Sequence, residues 1–140
     1  MTRVRWEQVD YAELNAKQKE VYNFQKIAAL LADYGFNCIR LSHDWKGADF
    51  LALHMPSDDV IRVQLKARLT VDRKYENKGL WIAFPVNEDW YLLEHDKLRD
   101  MVGERTPALE NNAWRQDGLL SWASPTKALL NALVPYRIGP

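Results

Sequence analysis

At 140 residues the chain is sized for one domain, residues 1–140, and its 47% hydrophobic and 27% charged residues describe an ordinary folded protein, leaving no room for a second independent core. The 19 basic and 19 acidic residues cancel, which excludes a global positive field as the driver of nucleic-acid binding, so any such surface is local. The single cysteine, Cys38, excludes an intrachain disulfide framework; residues 1–10 hold no apolar segment and no stretch is long enough to span a bilayer, so a reducing, cytoplasmic setting away from membranes is expected.

Over residues 15–34, Val21, Phe24, Ile27, Ala28 and Leu31 recur at helical spacing and Gly35 closes the run, which predicts a long amphipathic helix. Residues 36–41 predict a short strand, residues 42–47 a polar turn and residues 48–54 a second strand. After a turn at residues 56–59, residues 60–67 alternate, with Ile61, Val63 and Leu65 on one face and Arg62, Gln64 and Lys66 on the other. A charged connection, residues 68–79, leads to two strands at residues 80–84 and 90–94 that read as a hairpin. His95 or Asp96 can cap a short helix through Val102, and Ser124 with Pro125 opens a last helix reaching Leu133; residues 103–123 carry no clear pattern. This order predicts an α/β (α+β) fold, a central mixed sheet of four to five strands flanked by helices rather than a doubly wound parallel sheet.

No glycine-rich phosphate loop or zinc spacing occurs, and His43, His54 and His95 are too dispersed to argue a metal site. The chemistry lies in Asp49, at the start of the second strand, and in Gln64 and Lys66, which point the same way from the third. A carboxylate and an amide oxygen can share a hard divalent cation such as Mg²⁺, with the Leu65 backbone carbonyl as a further ligand. The lysine can orient the attacking water or stabilise charge growing on a phosphate. Glu20 falls at the N-terminal end of the Phe24, Ile27 and Leu31 stripe, where an inward acid needs a metal, a water or Lys66 as partner. Tyr22, Asn23 and Lys26 lie on other faces, where they could contact nucleic acid but read more simply as a solvated face, and Gln25 lies well off the stripe. Arg68, Arg73, Lys74 and Lys78 are candidate nucleic-acid contacts, Arg73 and Lys74 foremost, with a solvated loop as the alternative. Trp45 can stack on a base or cover the core edge.

Gly47-Ala48-Asp49-Phe50 followed by Val63-Gln64-Leu65-Lys66 resembles the D…(D/E/Q)xK signature of the PD-(D/E)XK nucleases. The segment is most similar to the uncharacterised bacterial and homing-endonuclease-like branches in which glutamine replaces the second acid. The resemblance, over residues 20–83, implies a restriction-endonuclease-like core and metal-dependent hydrolysis of a phosphodiester bond in DNA with Mg²⁺ (or Mn²⁺). Carried over residue by residue, it makes Asp49 the principal metal ligand, Gln64 a neutral second ligand, Lys66 the charge stabiliser or water-orienting base, and Glu20 the helix acid. The chain departs from the pattern in two places: Gln64 removes a negative charge, and Glu20 sits about one turn early. Enzymes that cut both strands often act as symmetric dimers, which extends the expectation to a homodimer. The rivals are a catalytically inactive nuclease-fold module that binds nucleic acid or a protein partner, and an interaction protein with no nucleic-acid role.

Overall fold

Asn15 starts the long helix with a reciprocal cap. Its side chain accepts the Gln18 N–H at 2.8 Å while the Gln18 side chain accepts the Asn15 N–H at 3.0 Å, satisfying two donors that the first helical turn leaves orphaned. The computed structural model describes residues 3–140, so Met1 and Thr2, part of the amino-terminal stretch expected to lack an apolar segment, lie outside them. Helix α1 spans Ala16–Ala32, buries Ile27 and Leu31, and is followed by Gly35 in the left-handed region at φ 85°.

Strands β1 (Phe36–Trp45), β2 (Ala48–His54), β3 (Val60–Leu65), β5 (Leu80–Val86), β6 (Asp89–Glu94) and β8 (Arg137–Ile138) form one sheet in the order β1-β2-β3-β5-β6-β8. The β3–β5 pair is parallel and the others antiparallel, so the sheet is mixed, as expected, with six strands in place of four to five. A separate antiparallel pair joins β4 (Leu69–Asp72) to β7 (Leu119–Trp122). Helix α2 (His95–Arg105) and helix α3 (Lys127–Leu133), the latter capped by the Thr126 side chain, complete the fold.

Alternation along the strands divides the core in two. Phe50, Ala52, Val63, Ala83 and Trp90 pack with Ile27 and Leu31 of α1. On the opposite face Ile82, Phe84, Tyr91 and Leu93 pack with α2, α3 and the β4–β7 pair through residues such as Leu98, Leu129, Leu133, Leu69 and Val71. Among the described residues no helix is long and apolar enough to cross a membrane.

Two expectations are corrected. The polar turn at residues 42–47 is mostly strand: β1 continues to Trp45 past a register irregularity, and only Lys46 and Gly47 turn, at φ 52° and 86°. Ser42, His43 and Asp44 lie exposed on an edge strand, where nothing demands apolar alternation. The connection at residues 68–79 contains β4, whose Leu69 and Val71 are fully buried and whose partner lies in the segment without a clear pattern. Four residues are too few for a period of two to stand out.

Candidate active site

The β1–β2 hairpin, the end of β3 and the first turns of α1 enclose a cavity of about 480 Å³ lined by Glu20, Asn23, Asp49, Gln64, Leu65 and Lys66, among others. β2 runs antiparallel to β3 as far as Phe50 opposite Val63; beyond that pair the Asp49 side chain takes the Leu65 N–H, and Asp49 and Gln64 line the same cavity. Lys66 follows two positions on, its N–H still donating to the Ala83 carbonyl at 2.9 Å, so the β3 direction persists beyond Leu65. The three side chains of the sequence motif thus meet at one end of the sheet.

Each carries a mark of its position. One Asp49 carboxylate oxygen, Oδ2, accepts the Leu65 N–H at 2.8 Å. Burial pushes the Asp49 carboxyl above the usual carboxylate range; the Leu65 N–H and Lys66 pull it back, and Asp44 and Glu20 add to the rise. Gln64 is 7% exposed, and its Oε1 is buried with no hydrogen-bond partner, the one such side-chain atom found among the described residues. Burial lowers the pKa of the Lys66 ammonium, the charge of Lys74 lowers it further, and Asp49 and Asp72 oppose the change. Its Nζ lies 5.5 Å from the centre of the Tyr75 ring, a cation–π contact that holds it beside the cavity.

The helix side of the cavity differs from the sequence reading. Glu20 stands at the rim, its side chain 64% exposed, in ion pairs with Lys17 at 3.8 Å and Arg40 at 3.7 Å. Asn23, read as solvated, is buried, and its Nδ2 donates to the Tyr11 hydroxyl at 2.9 Å. The signal was available: Asn23, Ile27 and Leu31 are spaced by four on the buried face, while Glu20, on the same side of the helix, sits in its first turns at the rim and stays exposed. Tyr11 precedes the helix, and no periodicity connects it to the site.

No family model matches the chain, and no curated protein matches it. Among solved structures the chain is similar to a bacterial homing endonuclease, I-Ssp6803I. That likeness has a TM-score of 0.47 and 13% identity, over 81% of this chain and 78% of the other. The site therefore rests on this chain's own residues.

The basic candidates separate. Arg73 donates from Nη2 to the Trp114 carbonyl and lies 5.0 Å over the Trp114 ring, locking the segment after β4 to the turn before β7. Lys74 pairs with Asp72 at 3.7 Å and lies over the Tyr75 ring. Lys78 is exposed in the turn before β5, and Arg68 is exposed between β3 and β4.

The donor chemistry suits a hard divalent cation at the level of two side-chain oxygens: the second Asp49 oxygen and the orphaned Gln64 Oε1. Among the described residues no group of three or more His, Cys, Asp or Glu side chains is placed to hold a metal. Any cation here would share one strand-borne carboxylate, neutral oxygens and water.

Proposed function

We propose that the chain is a metal-dependent DNA endonuclease that hydrolyses a phosphodiester bond at Asp49, Gln64 and Lys66. The observation that carries this reading is the buried, unpartnered Gln64 Oε1 in the same cavity as the half-buried Asp49. A buried acceptor without a donor costs about 1–3 kcal/mol, a cost that a cation or its bound water at this position would relieve. The D…QxK resemblance supports the same residues.

Asp49, Gln64 and the Leu65 carbonyl would hold Mg²⁺ or Mn²⁺, with Glu20 as an acid at the cavity rim. Bound there, the cation would supply Lewis acidity toward the phosphate and its attacking water. Lys66, half-buried and steadied by Tyr75, places its N–H donors where negative charge grows on the phosphate, in surroundings that strengthen the interaction. Asp49 fixes the end of β3 through the Leu65 N–H and keeps its other oxygen for the cation.

A second reading has one observation in its favour. Two amides, Asn23 and Gln64, line the cavity where acids would be the stronger ligands, which suits a nuclease-fold module that binds without cutting. Plasmid incubated with purified protein and Mg²⁺ or Mn²⁺ separates the two. Nicking or linearisation is expected, with Asp49→Ala and Lys66→Ala each slower by about 10²-fold or more. No cleavage by the wild type, or equal cleavage by both variants, sinks the hydrolytic reading.

A further inference from the structure

A second cavity, of about 630 Å³, adjoins the first, and Asp44 lines both. Two tight turns shape it. Lys46 and Gly47 join β1 to β2, and Asn77 and Gly79 precede β5 at φ 58° and 66°. The turns press on a common floor: a Cβ added to Gly47 would lie 2.6 Å from Leu80 Cδ1, and one added to Gly79 would lie 3.3 Å from Arg62 Nη2.

Four cations, Lys46, Arg62, Lys74 and Lys78, line this cavity against one acid, Asp44, whose Oδ1 already accepts the Gly47 N–H at 2.9 Å. Arg62 donates from Nη2 to the Lys78 carbonyl, which steadies the guanidinium and leaves its other N–H groups for a ligand. Lys74 is partly balanced by Asp72; Lys46 and Lys78 make no ion pair among the described residues. In a chain with no net charge, this is a local excess of positive charge around one open surface cavity. Tyr75 ties it to the first cavity: Lys66 Nζ lies 5.5 Å and Lys74 Nζ 5.2 Å from the same ring.

We infer that the second cavity binds a backbone phosphate of the DNA strand whose neighbouring phosphate is cut at Asp49 and Lys66, with Lys46, Arg62, Lys74 and Lys78 as its contacts. The inference rests on the hydrolytic reading for the identity of the strand. It also relocates the phosphate contacts, adding Lys46 and Arg62 and releasing Arg73 to its structural role with Trp114.

Binding of a short fluorescent DNA duplex in EDTA, across a salt series, tests this without cleavage. A Lys46→Glu, Lys78→Glu double variant alters only exposed turn residues and should fold as the wild type does. It is expected to bind at least about 10-fold more weakly at low salt, with a log–log salt slope shallower by about 1, for the one phosphate the cavity neutralises. Lys127→Glu, a charge reversal at the exposed start of α3, should bind as the wild type. Undiminished binding by the double variant, an equal loss in Lys127→Glu, or no binding by the wild type overturns the inference. Plasmid cleavage keeps the two readings apart. A wild type that cuts, with a double variant that binds undiminished, removes the phosphate cavity and leaves hydrolysis standing. Binding through the cavity without any cutting does the reverse.

Discussion

Asp49 is held at a cost to the fold, and the cost has a sign that can be measured. Its folded pKa lies above the ordinary value because burial disfavours the carboxylate. The folded chain therefore favours the protonated form; that contribution is fully present below the unfolded carboxyl pKa and is lost as pH rises through the higher folded pKa. Asp49→Asn keeps an oxygen for the Leu65 N–H and removes the charge. Without metal at neutral pH it is expected to be more stable than the wild type by about 1 kcal/mol, a few degrees in melting temperature. The advantage should fade below pH ~4, and added Mn²⁺ should stabilise the wild type alone. Thermal melts with and without Mn²⁺ across this range check it, and a variant less stable at pH 7 without metal would count against the burial of a charge held for a cation. Gln64 follows the same logic, since its orphaned oxygen has no hydrogen-bond partner among the described residues.

At the scale of elements, the β1–β2 hairpin is what aims Asp49. Its turn runs through Lys46 and Gly47 in left-handed conformations, matching the twist of the two strands, and Asp44 closes it by accepting the Gly47 N–H. Gly47→Ala meets two obstacles, the positive φ of 86° and a Cβ position 2.6 Å from a side-chain carbon of buried Leu80. A loss of about 1–2 kcal/mol is expected in urea denaturation. Because Asp49 lies two residues on, metal-dependent cleavage should fall together with stability. Wild-type stability and cleavage in Gly47→Ala would show that the turn does not set the site. α1 contributes differently: its buried row, not its charged rim, supplies Asn23 to the cavity wall.

Over the whole molecule, the parts legible in the sequence are those whose pattern is local. α1, β2, β3 and the β5–β6 hairpin announce themselves through spacing along one segment, and β3's alternation was enough to point Gln64 and Lys66 the same way, toward the cavity that Asp49 also lines. The parts that were not legible depend on distant partners. β4 is held as a strand by β7, with Thr70 opposite Ser121, and β8 is a two-residue edge on β6. Neither carries enough residues to show a period. Asn23 was misread for a related reason, because a polar residue on a buried row looks solvated until the cavity it faces is known. The basic segment likewise read as one stretch, yet the fold sends Arg73 to Trp114 and Lys74 and Lys78 to a cavity with Lys46 and Arg62. The proposed function comes down to one cation position, and crystals soaked in Mn²⁺ test it most directly by anomalous scattering. One peak is expected about 2.1 Å from an Asp49 carboxylate oxygen and from Gln64 Oε1. No peak there, or one held only by Glu20 and Asp44 at the rim, would contradict a hydrolytic centre built on Asp49, Gln64 and Lys66.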